Sequence, residues 1–273
     1  MPHSNPPPEL STMTFAEQDG VGILTLDRPE SYNAMNPEMI SELPVIFGWL
    51  ADQADLRALV ITGSGAAFCA GGDLNWFRLG IEDPGVDIVA GVRDGAETLH
   101  RGIVDLVRIP YPVIAAINGP AAGAGFSLAL ACDTRICSRN AFLACAYGRI
   151  GASPDGGMTY FLPRVVGPSR AIELLLNDPN LSPEAALEEG IVAEVVEPDD
   201  LMDRAIEKAH KLGAKSPYYV KMAKRLAGTS LDHTLTEHLQ HERHAIAEAM
   251  ATEDLARAVA GFLEGEEVEF EGR

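Results

Sequence analysis

Twice in this chain a short apolar run ends in a cluster of glycines and then passes into a helical pattern. "LRALVITGSG" leads into "FCAGGDLNWF", and "PVIAAINGPAAGAGFSLALACDTRICS" runs through strand, glycine-rich turn, small-residue helix and strand again. Apolar runs this short, closed by glycine, read as buried strands. Two such strand-turn-helix units in series demand largely parallel pairing, so the fold class is α/β.

The rest of the chain extends that plan. "GVGILTLDRP" reads as a strand ending at Arg28-Pro29. "NPEMISELPVIFGWLADQ" reads as a helix with Asn36 as N-cap and Pro37 at its first position, and Pro44 predicts a kink or an early end. "GVDIVAGVRDGAETLHRGIVDLVRIP" has helical spacing, and "SPEAALEEG" reads as a capped helix closed by Gly190. The last 60 or so residues look helical and acidic up to "EEVEFEGR". The organisation expected is a disordered leader over 1–12, a β/α core over 13–210 and a helical C-terminal region over 211–273.

Composition narrows the partners. The chain has 273 residues, enough for one large domain with an appendage. Its 21 Lys+Arg against 40 Asp+Glu leave a net charge of −19, which repels a phosphate backbone and argues against nucleic-acid binding. A small anionic ligand remains possible, because backbone N–H groups hold it locally. The four cysteines form no C-x-x-C pair or zinc spacing, which points to reduced thiols, no metal and a cytoplasmic protein. No apolar stretch approaches the roughly 18 residues of a membrane span, so no membrane partner is expected.

Four segments carry possible chemistry. Gly119–Gly125 is either a tight turn or a set of N–H donors for an oxyanion; it lacks the Gly-Lys-Ser/Thr of a phosphate loop and the third glycine of a dinucleotide fingerprint. Gly71-Gly72-Asp73 offers a second donor turn, with Asp73 most simply a helix N-cap. Asp155, between Pro154 and two glycines, is a turn aspartate or, if tucked into an apolar pocket, a base. Gly125-Phe-Ser127-Leu-Ala129 approaches a hydrolase nucleophile elbow, but a glycine-rich turn separates it from its strand. His233, His238, His241 and His244 crowd one helical segment without a metal-binding motif, as a solvated helix face would.

Taken together, "GSGAAFCAGGDLNWF", "PVIAAINGPAAGAGFSLALACDTRICS" and "IGASPDGGMTYFLPRVVGPSRAIELLL" resemble the enoyl-CoA hydratase/isomerase (crotonase) family from about Val21 to Phe262. The resemblance implies a crotonase-like spiral of ββα units with a helical C-terminal region that serves oligomerisation, as a homotrimer or dimer of trimers. It implies an acyl-CoA thioester substrate, with coenzyme A entering as part of that substrate and no separate cofactor. The two amides expected on the thioester oxygen fall on Gly72 and Ala124, the second a position where the family normally has glycine. The paired glutamates of the hydratases fall on Ser127 and Tyr147, neither a carboxylate. Asp155 matches the single acid/base carboxylate of several family isomerases, including those of unsaturated acyl-CoA and of a ring epoxide.

The resemblance therefore implies an acyl-CoA isomerase with Asp155, Gly72 and Ala124 as its catalytic groups. Ala70, Gly71, Phe77, Gly123 and Tyr147 are expected to bind substrate, Tyr147 by lining the pocket or by donating a hydrogen bond. Arg28 and Ala34 are expected beside the coenzyme A nucleotide. The alternatives are an enoyl-CoA hydratase and a family member that binds acyl-CoA without turning it over.

Overall fold

The computed structural model describes residues 6–273. Of the expected leader, residues 1–5 lie outside the described residues. Ser11 and Thr12 are tied down: their backbone amides donate to the Glu42 carboxylate at 2.7 and 3.1 Å.

The chain opens with an antiparallel hairpin of β1 (Met13–Gln18) and β2 (Val21–Leu26). Asp19 and Gly20 join them at φ 50° and 76°, the paired positive φ of a two-residue turn whose twist suits the flanking strands. Asp-Gly is itself a hairpin signal, so β1 was legible although the sequence reading begins the sheet at β2.

Next comes α1 (Pro37–Ala51), where Asn36 Oδ1 accepts from the Met39 N–H at 2.9 Å and Pro37 sits in the first turn, as expected. Of the kink or early end expected at Pro44, the early end does not occur, for the helix continues to Ala51. An interior proline costs about 3 kcal/mol. Against that stand Leu43, Ile46, Phe47 and Leu50, all fully buried, each contributing roughly 1.5–3 kcal/mol by burial. The packing wins.

The following elements are β3 (Ala58–Gly63), α2 (Leu74–Glu82), α3 (Ile88–Arg108), β4 (Val113–Ile117), β5 (Ala121–Ala122), α4 (Ala124–Ala131), β6 (Thr134–Ser138) and β7 (Leu143–Ala144). After them come α5 (Met158–Val166), α6 (Pro168–Asn177), α7 (Pro183–Glu188), β8 (Glu194–Val196) and α8 (Leu201–Gly213). The C-terminal region holds α9 (Pro217–Thr229), α10 (Leu235–Ala249) and α11 (Glu253–Glu264). Ser182 caps α7 and Gly190 follows it at φ 71°, as the sequence predicts.

The main sheet runs β1-β2-β3-β4-β6-β8, parallel throughout except for the first hairpin. A second, smaller ladder lies beyond the strand ends: β5 pairs with β7, Cys69 bridges Ala121, and Leu143 bridges Leu181. Met35 bridges Gly72 in the same manner. Each turn of the chain thus lays one strand in the main sheet, a few extended residues in the ladder, and a helix outside. That is the ββα spiral the resemblance implies. The ladder matters for function because it stacks successive glycine turns on one another.

The C-terminal region is fastened to the spiral at several places. The Arg57 guanidinium donates to the Gly213, Lys215 and Phe270 carbonyls at 2.8–3.1 Å, and Lys224 Nζ donates to the Ile109 and Tyr111 carbonyls at 2.8 Å.

Candidate active site

Gly71, at φ 98°, is where the turn after β3 meets the turn before α4. A Cβ there would lie 2.9 Å from the Ala122 carbonyl oxygen and 3.5 Å from the Ala124 nitrogen. Only glycine lets these backbones approach so closely.

The local pairing leaves two amides free at this contact. In the bridge to Met35, the Gly71 carbonyl accepts from Met35 and the Asp73 N–H donates to Met35. That pattern uses the neighbours of Gly72 and turns its own N–H away. The Ala124 N–H opens α4, where first-turn amides have no intrahelical acceptor. Ala124 does not take a positive φ, so its methyl group sits there without backbone strain.

A cavity of about 550 Å³ opens over this point. Eight of the ten expected site residues line it: Ala70, Gly71, Gly72 and Phe77 from the first turn, Gly123 and Ala124 from the second, and Tyr147 and Asp155 from the segment after β7. Among the described residues Asp155 is its only lining carboxylate. A larger cavity of about 780 Å³ lies past Gly156 and Gly157, between α3, α5 and α9, and includes none of the ten.

Arg28 and Ala34 are the two expected residues that the cavity does not include. Instead Arg28 Nη1 donates to the Ala34 carbonyl and to Asp73 Oδ2, the latter at 3.1 Å. Asp73 in turn caps α2, its Oδ1 accepting from the Asn75 and Trp76 amides, as expected. Arg28 therefore braces the peptide that follows Gly72 from behind.

Around Asp155 the structure holds a network in which Tyr147 both lines the cavity and donates a hydrogen bond, the two alternatives the sequence left open, while the part of Ser127 was not expected. The Tyr147 hydroxyl donates to Asp155 Oδ1 at 2.7 Å. Ser127 Oγ lies 3.1 Å from that hydroxyl, donates to the Asp155 carbonyl at 3.0 Å, and is fully buried. On the other side, the Gly156 N–H donates to His100 Nε2 at 3.3 Å. Burial first, and then the Asp155 charge, push the Tyr147 phenol far above its ordinary range, so it stays protonated. The eight-residue spacing from Tyr147 to Asp155 gave no periodic signal, because a single 3-10 turn over Gly148–Ile150 separates them.

The same contacts dispose of two other nucleophiles. Ser127 is enclosed by Gly123, Asp155 and Tyr147 with no histidine on its hydroxyl among the described residues, so the hydrolase elbow is absent. Burial pushes the Cys69 thiol up to about 12, leaving no thiolate near neutral pH. In the histidine segment, the His233 and His241 rings lie 4.8 Å apart, and among the described residues no group is arranged to hold a metal.

Residues 16–273 match the family model described as enoyl-CoA hydratase/isomerase, and the chain belongs to that family, the crotonases, which act on acyl-CoA thioesters. It is 36% identical to the 1,2-epoxyphenylacetyl-CoA isomerase of Escherichia coli (strain K12), over 94% of this chain and 97% of that protein. It is 31% identical to the short-chain-enoyl-CoA hydratase of Clostridium acetobutylicum, over 96% of this chain and 98% of that one. The crystal structure of enoyl-CoA hydratase from Bacillus anthracis superposes with a TM-score of 0.89 at 31% identity, covering 96% of this chain and all of the other (100%). The crotonase fold is thereby established. Among the described residues no helix is long and apolar enough to cross a membrane.

Proposed function

We propose that this family member is an acyl-CoA isomerase that shifts a double bond, or rearranges an unsaturated or epoxidised acyl group, through one aspartate base. The Gly72 and Ala124 amides receive the thioester oxygen as negative charge develops on it. Such fixed donors need no reorganisation during the reaction. Asp155 takes a proton from one carbon of the acyl chain, the C–H electron pair moves into the enolate, and the proton returns to another carbon. Coenzyme A is carried as part of the substrate.

The observation that carries the reading is that, among the described residues, Asp155 is the only carboxylate lining the cavity that also contains both amides. Water addition needs groups to hold and activate a water, and the positions matching the hydratase glutamates are hydroxyls, Ser127 and Tyr147. The exposed apolar side chains of the C-terminal helices, Leu235 at 74% and Phe262 at 84%, support assembly through that region as a homotrimer or dimer of trimers.

The test is turnover of a 3-enoyl-CoA by Asp155→Asn, beside hydration of a 2-enoyl-CoA by the unaltered chain. The proposal expects isomerisation with solvent deuterium entering the product, abolished in the variant, and little hydration. Near-normal isomerisation by Asp155→Asn ends the base assignment. Acyl-CoA that stabilises the protein thermally but is never converted would favour a binding role.

A further inference from the structure

We propose that Tyr147 is a positioning residue for the reaction: its hydroxyl, supported by Ser127, fixes the Asp155 carboxylate through one oxygen and leaves the other oxygen alone to exchange protons with substrate. This inference rests on the assignment of Asp155 as the base and adds to it the group that aims it.

The geometry is specific. Tyr147 OH reaches Oδ1 at 2.7 Å, the length of a strong hydrogen bond to a charged acceptor, while Oδ2 has no partner among the described residues. The hydroxyl also contacts the Asp155 backbone carbonyl at 3.2 Å, as Ser127 Oγ does at 3.0 Å, so one pair of hydroxyls grips both the main chain and the side chain of a single residue. A cavity wall needs none of this, and a phenylalanine would fill the same space.

The tyrosine is itself held by unusual backbone. Ala146, immediately before it, takes φ 62°, uncommon for a residue with a Cβ, and its N–H donates to Asp178 Oδ1 at 2.7 Å. Asp178 also pairs with Arg149 at 3.3 Å. Structure that over-determines a strained residue beside a polar contact is typical of sites where position matters.

Three titratable or charged side chains surround Asp155. Tyr147 faces it directly and remains a donor because burial keeps its phenol protonated. His100, from α3, meets the Gly156 amide rather than the carboxylate. Arg149 lines the same cavity but is engaged by Asp178 and Asn180. The helices α2 and α4 present to the cavity only uncharged side chains. Tyr147 is thus the one donor to the carboxylate among the described residues.

The experiment compares the unaltered chain, Tyr147→Phe and Asp155→Asn in isomerisation of a 3-enoyl-CoA, with kcat, KM and the pH profile of kcat/KM measured for each. Loss of one hydrogen bond to a charged group predicts a fall in kcat of roughly 10- to 100-fold in Tyr147→Phe, with KM within about twofold. The fall should appear across the whole pH profile of kcat/KM, as the loss of an aimed base predicts. If Asp155→Asn is inactive while Tyr147→Phe keeps the unaltered kcat, the positioning role is overturned and the base assignment stands. If Asp155→Asn stays active, the base assignment has failed and this role falls with it. Should Tyr147→Phe melt more than a few degrees low, Ser127→Ala carries the test through a smaller fall in kcat at unchanged KM, and an unaltered kcat again overturns the proposal.

Discussion

At Ala124 the group proposed to act is the main-chain amide, and that makes it open to a test that side-chain replacement cannot offer. Ala124 is the first residue of α4, a position where proline is tolerated because its missing N–H was unpaired. Gly123 before it, at φ 52° and ψ −126°, has a conformation that glycine alone adopts readily and that leaves room for a following proline ring. Ala124→Pro should therefore fold, bind acyl-CoA, and lose roughly 10²–10³ in kcat if this amide stabilises the enolate. A smaller companion effect is expected at the Arg28–Asp73 pair. Asp73→Ala removes both a helix cap and the partner of Arg28, which should lower stability by about 1–2 kcal/mol in a denaturant titration. The amides, Phe77 and Asp155 were legible from ordered motifs, since glycine turns and a turn aspartate recur in the sequence itself. That the Tyr147 hydroxyl meets Asp155 was not, because a hydrogen bond across a 3-10 turn depends on the φ of Ala146, a value that no local pattern announces.

Among the elements, α4 shows how closely the second turn is built against the first. Its Gly125 lies so near the strand-like segment at Cys69 that a Cβ would stand 2.2 Å from the Cys69 carbonyl oxygen and 2.6 Å from its Cβ. Backbone cannot yield as a flexible side chain does. Gly125→Ala should cost about 1–3 kcal/mol by overpacking, read from chemical denaturation, and should depress kcat further than the loss of stability explains, since the Ala124 amide moves with the helix. The sequence conveyed α4 well: eight small or apolar residues between two strands left little choice, and all eight are buried. It misled at α1, where Pro44 signals a break that long-range packing against α3 overrides. Local propensity is a weak vote beside a fully buried helix face.

For the molecule as a whole, the acidic tail "EEVEFEGR" is more ordered than its composition suggests. Asp254, 1% exposed at the start of α11, accepts the Glu271 and Gly272 amides at 2.9 and 2.8 Å and pairs with Arg257 at 2.6 Å. Burial alone would raise its carboxyl, but the two backbone amides and Arg257 bring it below the ordinary aspartate range. A group depressed in the folded state stabilises the fold above its unfolded pKa and loses that contribution as pH falls through the folded one. Asp254→Asn should thus be destabilised by roughly 1–2 kcal/mol at pH 7, with the gap from the unaltered chain closing in thermal melts as pH falls through and below the ordinary aspartate range. Sedimentation tests the assembly: the unaltered chain is expected to run as a trimer or a multiple of it, and Phe262→Asp with Leu263→Asp to shift it toward smaller species. The helical character of this region was plain from the sequence. Its anchorage through Arg57 was not, because it links residue 57 to residue 270.

The ladder that crosses the ends of the main strands has one more implication. Gly72, Ala124 and Asp155 ride on three successive coils of the chain, so the amides proposed to polarise the thioester and the acid proposed to react come from separate segments. On that proposal, side chains at 127, 147 and 155 could change while the backbone at Gly72 and Ala124 stays as it is, which would make the scaffold a socket with an exchangeable tool.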